Sequence, residues 1–490
     1  MTMATEEDPP DLLDTPSAGP AAIRGGVIRI AGFGAGIVIT TLSAALLFRH
    51  LGVEDGGRYV TVVALVSIVA GLTDAGLTGV ALRELVDRDP SEHDSLLRNM
   101  IGMRLFLGVI GLTGAVAFAA IAGYGSAMVF GTVLAGIGAI TQTFQSTLSV
   151  RLLVDLRLGW VTVLEFVRQL ASVIGIALLV ALGASLVWFF GVLIPASLVA
   201  VLATVWLVRG KMPMRPRFAF GEWRELMRDI VPFAAIVLIT LVYFRVALIV
   251  LSLVSDPDQV GYFGASFRVT EVLISVPQLA VAGAFPIFVR AARDDRDRLS
   301  YGIGRMFHAM TVAGAALALG LVLGASFIIE VVAGAEFAPA ADVMRIQGVT
   351  LFVVFLSVTV NYALLSLRAH RPILLIWGGA LLLNGIGSGI LGTTHGAEGV
   401  AVATMTADIL ALVASCWVLA RRGLPVGQWL RMMPRTLVAL APALAVWFVP
   451  IPSLAKALLG VGVYLLVLVL VRGVPEEVYI EARRLRGSAT

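Results

Sequence analysis

The chain has 490 residues, of which 59% are hydrophobic and only 14% are charged; its formal net charge is +4 and its mean hydropathy is +0.95. A soluble protein of this length needs a polar surface that so few charged residues do not provide, so the composition excludes a soluble globular protein. The apolar runs are continuous rather than alternating, which also excludes a transmembrane β-barrel. The predicted fold class is an all-α polytopic membrane protein.

The chain begins with an acidic segment, residues 1–22, which contains several prolines and no lysine or arginine. A signal peptide starts with basic residues and continues with an apolar stretch, so this segment does not have that pattern. Charged, proline-containing sequence of low hydrophobicity is typical of disorder. We expect residues 1–22 to form a disordered cytoplasmic tail.

Fourteen apolar runs follow, and each is long enough to cross a bilayer as a helix. The predicted spans are 25–48, 59–82, 99–122, 126–150, 159–182, 185–208, 229–254, 260–289, 303–327, 341–367, 372–393, 397–420, 434–450 and 455–472. The largest connection between them, residues 209–228, is basic and includes the segment RPRFAFGEWRELMR. We expect this segment to lie as an amphipathic helix on the membrane surface.

The basic residues alternate between the two sides of this topology. With both termini placed in the cytoplasm, the outer loops carry only Arg49, Arg58 and Lys456, and every other loop or tail arginine and lysine falls on the cytoplasmic side. Cytoplasmic loops collect arginine and lysine, and an error of one span early in the chain would destroy the alternation. The pattern therefore supports fourteen spans with both ends inside.

Two segments of the chain resemble each other at a fixed separation. Residues 54–85 and 257–290 each begin with an acidic turn, place a tyrosine (Tyr59 or Tyr262) at the head of a helix, and end at a basic loop. Six predicted spans fit in the interval, and an even number leaves the two halves in the same orientation. The sequence thus predicts two six-helix lobes related by a parallel pseudo-twofold repeat, an arrangement that transporters use.

This repeat sets the expected domain boundaries after the tail. We expect an N-lobe with spans one to six at 23–208, a basic cytoplasmic linker at 209–228 and a C-lobe with spans seven to twelve at 229–421. Two further spans at 422–472 and a cytoplasmic C-terminal tail at 473–490 complete the chain.

Motifs for covalent chemistry or cofactor binding are missing from the sequence. Neither lysine follows a GxxxxG pattern, there is no HExxH, the five histidines are widely separated, and Cys416 is the only cysteine. We expect no catalytic residue, no metal, no cofactor and no nucleic-acid partner. Glu54 and Asp55 lie where some membrane glycosyltransferases carry a carboxylate pair, but those enzymes need a large external loop, and this loop is short.

The informative residues are charges inside the predicted spans, because each costs about 2.5–3.5 kcal/mol at a helix centre and usually faces a cavity or a partner. They are Asp74, Glu165, Arg168, Arg245, Arg268, Glu271 and Asp408. The pairs Glu165/Arg168 and Arg268/Glu271 have i, i+3 spacing, which places each pair on one helix face. Arg245 has no acid within a helical turn, so it needs either a partner from another span or an anionic ligand.

Four segments together resemble the polysaccharide-biosynthesis branch of the multidrug/oligosaccharidyl-lipid/polysaccharide exporter (MOP) superfamily, which contains the oligosaccharide-lipid flippases. They are FRHLGVEDGGRY (48–59), GLTDAGLTGVALREL (71–85), VPFAAIVLITLVYFRVALIVLS (231–252) and VGYFGASFRVTEVLISVPQLAVAGAFPIFVR (260–290). The resemblance implies two lobes around a central cavity. It also implies transport of a polyprenyl-diphosphate-linked glycan across the bacterial cytoplasmic membrane by alternating access, without enzymatic activity.

The resemblance also implies which residues meet the substrate phosphates. Arg24 and Arg29 match the basic residues of the family's first helix, Arg268 matches the eighth-helix arginine, and Arg245 stands in a YFR segment similar to the seventh helix. These four are the expected substrate-binding residues. Ala247 departs from the family because an acidic residue is frequent there, which puts an ion-coupling role of that position in doubt.

Asp74 and Glu271 are the expected cavity or coupling residues. The related lipid II flippases carry a basic residue in the second helix, whereas this chain has Asp74 in that region, which argues against lipid II. We expect Asp74 to face the cavity or the lobe interface and to pair with Arg29 or Arg245. The alternative is a purely structural tie to nearby backbone at a glycine-rich helix contact.

Three other functions remain open at this point. The nearest is a cation-coupled multidrug antiporter of the same superfamily, which should show an acid cluster and an apolar, aromatic pocket. A membrane glycosyltransferase or glycan polymerase is disfavoured by the short external loops. A scaffold for envelope synthesis enzymes is the third. The expected partners are the lipid-linked glycan, membrane lipids and enzymes of envelope polysaccharide synthesis.

Overall fold

The computed structural model describes residues 18–74, 77–78, 84–85, 92–154, 157–208, 216–431 and 433–473. Most of the predicted N-terminal tail, residues 209–215 of the predicted linker and residues 474–490 of the predicted C-terminal tail lie outside the described residues. The last residues of the predicted 1–22 tail are helical, because the first helix begins at Ala18.

The described residues form helices and no strands, which confirms the all-α class. The α-helices are α1 Ala18–Asp74, α2 His93–Ile121, α3 Ser126–Val154, α4 Leu158–Ala181, α5 Leu186–Gly191, α6 Leu193–Leu207, α7 Phe220–Val254, α8 Pro257–Asp294, α9 Arg296–Val332, α10 Ala340–Ser366, α11 His370–Arg421, α12 Val426–Leu430, α13 Met433–Ala445 and α14 Ser453–Leu470. Short 3₁₀ segments precede α10 and follow α13.

Eleven stretches of helix within the described ranges are long and apolar enough to cross a membrane. Two of them contain a break. Gly52 in α1 has φ 71° and Gly396 in α11 has φ 52°, and both stand where the sequence predicts a loop between two spans. The 52 residues of α11 would measure about 80 Å as one straight helix, more than twice the hydrocarbon thickness. Fourteen spans and the internal repeat stay predictions.

The helices pack into two groups that follow the chain. In the first group α1 packs against α3 and α4, and α3 packs against α2 and α6; in the second, α10 packs against α8, α9 and α11, and α7 packs against α11. The largest buried apolar cluster lies mainly in the second group and includes Phe307, Phe355 and Leu364. The two groups meet chiefly where α1 contacts α8 and α7.

The contact between α1 and α8 is a close approach of two backbones. A Cβ atom on Gly57 would lie 2.0 Å from the carbonyl oxygen of Pro257, and one on Gly261 would lie 2.4 Å from the carbonyl oxygen of Val53. Only glycine fits at such distances, and small residues are the usual means by which membrane helices approach closely. This contact therefore fixes the position of the second group of helices against the first.

The start of α7 docks on the beginning of α2. The indole Nε1 of Trp223 donates to Asn99 Oδ1 at 2.5 Å, and Asn99 Nδ2 donates to Glu222 Oε2 at 2.8 Å. The segment predicted as a separate surface helix is instead continuous with the seventh predicted span, since α7 runs unbroken from Phe220 to Val254. Its first turn is held by hydrogen bonds to the other group of helices.

Replacing Gly261 by alanine should lower the free energy of unfolding by about 1–3 kcal/mol, because the added methyl group overpacks the contact with α1. Gly283→Ala in the same helix is the matched control, since a Cβ there meets nothing within 4 Å. Thermal unfolding of both purified variants in the same detergent measures the difference. Equal melting temperatures for the two variants would contradict the close approach.

Candidate functional site

Three charged side chains meet beside the contact between the two groups of helices. Arg245 of α7 donates through Nη2 to Glu271 Oε1 at 2.6 Å, and Arg268 of α8 donates through Nη1 to Glu271 Oε2 at 3.2 Å. One carboxylate thus serves two guanidinium groups, and the cluster keeps one net positive charge. We call Arg245, Arg268 and Glu271 the charged triad.

Helix geometry places the triad next to the close backbone contact. Gly261, Gly264 and Arg268 are separated by three and four residues, so they share one face of α8. A Cβ on Gly264 would lie 2.8 Å from Val60 of α1, which shows that this face is turned towards α1. Arg268 also lies within electrostatic range of the Tyr59 hydroxyl. The triad is therefore at the junction of the two helix groups.

The triad is neither sealed nor fully open. The side chain of Arg268 is 43% exposed, that of Glu271 30% and that of Arg245 19%. The Nε atom of Arg245 is buried and has no hydrogen-bond partner. Arg245 therefore has a partner from another predicted span, Glu271 of α8. Arg268 also pairs with Glu271, as their i, i+3 spacing predicts.

The described residues line at least two cavities. One, of about 730 Å³, is lined by α1 from Val38 to His50 with Val180 and Val331. The other, of about 30 Å³, lies inside the second helix group and is lined by residues that include Tyr243, Gln347 and Asp408. Arg245 and Arg268 are not among the lining residues of either cavity, and the chamber expected beside these arginines stays a prediction.

Arg24 and Arg29 lie in α1, but their side chains fall outside the described residues. Their part in a phosphate site stays a prediction.

The predicted pair Glu165/Arg168 in α4 is present. Arg168 Nε donates to Glu165 Oε2 at 3.1 Å, and Gln169 Nε2 donates to Glu165 Oε1 at 3.0 Å.

Asp74 pairs with Arg104 of α2. Arg104 Nη2 donates to Asp74 Oδ1 and to the Thr78 hydroxyl, both at 2.6 Å, and Nη1 donates to the Thr147 hydroxyl at 2.8 Å. The expected pairing of Asp74 with Arg245 is wrong, because Arg245 bonds to Glu271; the side chain of Arg29 lies outside the described residues. Asp74 acts as the counter-charge of a buried arginine.

Sequence reasoning missed Arg104 because it counted every arginine near a span end as a loop residue. The helix begins at His93, so Arg104 lies three turns inside it, and its side chain is only 2% exposed. Two features of the sequence could have identified Arg104 as buried. One is its apolar surroundings, IGMRLFLGV, and the other is the hydroxyl pair Ser146 and Thr147 in α3, to which it donates. The contact between helices is what identifies these as its partners.

Asp74→Asn should destabilise the protein because it leaves the buried guanidinium of Arg104 without its counter-charge. Glu54→Gln is the control: Glu54 bonds to Arg58 at 2.6 Å, but both side chains are well exposed, so its loss should cost at most about 1 kcal/mol. Thermal unfolding in detergent compares the two variants.

The double variant Asp74→Asn/Arg104→Gln should recover part of the stability lost by Asp74→Asn, because it removes the uncompensated charge. A double variant whose stability equals the sum of the two single losses would show that the pair is not coupled.

The fold formed by these helices matches the folds of several solved membrane transporters. A solved structure described as lipid II flippase MurJ in an inward closed conformation matches at TM-score 0.77 and 14% identity, covering 91% of this chain and 99% of that one. An inward-facing multidrug resistance MATE family transporter matches at TM-score 0.62 and 14% identity, covering 81% and 96%. A MOP superfamily transporter from Pyrococcus furiosus matches at TM-score 0.55 and 14% identity, covering 82% and 94%.

The sequence itself gives the narrower assignment. A family model described as polysaccharide biosynthesis protein matches residues 25–292, which is more than half of the chain. The chain belongs to this polysaccharide biosynthesis protein family. None of the curated proteins matches the sequence. The solved structures share the fold, and the family match confirms the resemblance read from the four segments.

Proposed function

We propose that this protein is a flippase that moves a polyprenyl-diphosphate-linked oligosaccharide across the bacterial cytoplasmic membrane. The substrate passes from the inner to the outer leaflet by alternating access, without covalent chemistry, and both termini are cytoplasmic. The observation that supports this best is the charged triad, in which two guanidinium groups share one carboxylate at the junction of the lobes.

The charge balance of the triad suits a diphosphate. Guanidinium groups stay charged and offer planar paired donors that match phosphate oxygens. Glu271 supplies one negative charge against two positive ones, so an entering diphosphate would take its place on Arg268 first, because that contact is longer and more exposed. Glu271 then acts as an internal competitor that occupies the arginines between transport cycles.

The contacts between the helix groups support a conformation closed on the outer side. At the end of the molecule that carries Gly52, Arg49 Nη2 donates to the carbonyl oxygens of Glu330 and Val331 at 3.0 and 2.9 Å. Phe48 packs against Phe337 with ring centroids 5.4 Å apart. These hydrogen bonds and the ring contact join α1 to the end of α9 and to the 3₁₀ segment that follows it, Ala335–Phe337. In the proposed topology this end faces outward, so substrate enters from the cytoplasmic side.

The competing functions differ from this one at specific residues. A cation-coupled multidrug antiporter, whose fold the chain shares, would need an acid cluster in an apolar pocket. The smaller cavity has a single carboxylate, Asp408, in its lining, and the triad has more arginine than acid. A glycosyltransferase or polymerase would need free carboxylates near the outer turn. Glu54 and Asp55 instead bond to Arg58 at 2.6 and 2.9 Å.

The test uses the purified full chain in liposomes that contain a fluorescent polyprenyl-diphosphate-linked oligosaccharide, with a membrane-impermeant quencher reporting the leaflet. Arg245→Gln and Arg268→Gln should each reduce flipping by roughly tenfold or more, because a hydrogen bond to a charged group contributes about 1.5–3 kcal/mol. Arg345→Gln is the matched control: Arg345 forms an i, i+3 ion pair with Asp342 in α10, away from the triad.

Binding measurements separate a substrate site from a structural ion-pair cluster. The two arginine variants should bind the lipid-linked diphosphate more weakly, and Glu271→Gln should bind it more tightly because the internal competitor is gone. A structural cluster would give weaker binding and lower stability in all three. Normal flipping by both arginine variants would contradict the proposal that the triad binds the substrate. Cation-driven drug export without glycan flipping would favour the antiporter.

A further inference from the structure

Asp408 is a buried carboxylate that the charged triad does not use. It lies in α11 after the break at Gly396 and is 3% exposed. Its Oδ1 accepts one hydrogen bond, from the Tyr243 hydroxyl of α7, at 2.7 Å. No lysine, arginine or histidine among the described residues forms an ion pair with it. Asp408 differs in this respect from Asp74 and Glu271, which each bond to arginine.

A small cavity, lined mainly by apolar side chains and by a few polar ones, adjoins this carboxylate. The cavity has a volume of about 30 Å³, enough for a water molecule, and Asp408, Thr404, Thr350 and Gln347 are among its lining residues. Gln347 Oε1 accepts from the Thr270 hydroxyl at 3.1 Å, but its buried Nε2 has no hydrogen-bond partner. The amide nitrogen of Gln347 is therefore a hydrogen-bond donor without an acceptor, and it lines the same cavity as Asp408, a carboxylate without a counter-ion among the described residues.

These two requirements point to a proton and a water molecule rather than to a metal cation. A buried carboxylate without a counter-ion is costly in an apolar interior, and a bound proton removes that cost. A metal cation would need several oxygen ligands, whereas the amide nitrogen of Gln347 repels a cation. A water molecule accepts from that nitrogen and donates towards Asp408, so it links the carboxyl group to the polar side of the cavity.

We infer that Asp408 is a proton-binding site inside the C-lobe, with Tyr243 holding the carboxyl group and the cavity at Gln347 giving the proton its path. Tyr243 is the titratable side chain that faces Asp408 from α7. The polar lining residues from α8 and α10 are Thr270, Gln347 and Thr350, and none of these titrates. Trp377 packs on Tyr243 from the first part of α11.

The position of Tyr243 connects this site to the triad. Tyr243 and Arg245 are two residues apart on α7, which turns them about 200° from each other. One therefore points into the C-lobe towards Asp408, and the other bonds to Glu271. Release of the proton leaves a negative charge on Asp408, next to the face of α7 that carries Tyr243, while Arg245 lies on the opposite face of α7. This coupling step rests on the proposed function, but proton binding at Asp408 does not.

Infrared difference spectroscopy of the full chain in phospholipid vesicles tests the site without any substrate. The spectrum at low pH minus that at high pH should contain the carbonyl stretching band of a protonated carboxyl group. Asp408→Asn should remove one such band, and Asp342→Asn, which changes an exposed aspartate of α10, should keep it. Replacing sodium by choline in the buffer should leave the band unchanged.

Tyr243→Phe keeps the test decisive even where Asp408→Asn does not fold. It removes only the donated hydroxyl, so the same band should persist and move to higher frequency. Arg268→Gln should leave the band in place, which separates this result from any failure of glycan flipping. Identical pH difference spectra for wild type, Asp408→Asn and Tyr243→Phe would overturn the proton site, and a band that depends on sodium would assign the cavity to a cation instead.

Discussion

One shared carboxylate, that of Glu271, joins α7 to α8 within the second group of helices and holds two guanidinium groups beside the contact with α1. Glu271 accepts from Arg245 on a neighbouring helix and from Arg268 one turn before it on its own helix. Inside a membrane, two guanidinium groups at such close range repel each other strongly unless an anion stands between them. Glu271 is that anion in this conformation, and it leaves the cluster with one net positive charge.

The triad lies next to a close approach of two backbones. Gly57 and Gly261 allow α1 and α8 to come within a distance that no side chain would permit. Arg268 lies on the same face of α8 as Gly261 and Gly264, so the approach that closes the lobes also brings the arginine to their boundary. Arg49 strengthens the same end by bonding to the carbonyl oxygens at the end of α9.

Buried charge is handled differently in the two lobes. In the first, Arg104 is compensated by Asp74 and by the hydroxyl groups of Thr78 and Thr147, which suits a permanent structural contact. In the second, Asp408 accepts a hydrogen bond from a tyrosine hydroxyl and borders a small, mainly apolar cavity, and it has no ion pair among the described residues. A site without a fixed counter-ion can gain and lose a proton, whereas a site with one is held in a single state.

The sequence by itself determined the class, because continuous apolar runs and the distribution of basic residues are properties of local composition. It also determined the Arg268/Glu271 and Glu165/Arg168 pairs, since three residues along a helix always bring two side chains to one face. Only the tertiary structure decided that Arg245 joins Glu271 and that Asp74 belongs to Arg104 rather than to Arg245. Those partners are 26 and 30 residues apart on separate helices. Their meeting depends on the rotation of each helix about its own axis, which is set by packing against neighbours and is not encoded in the spacing of residues along the chain.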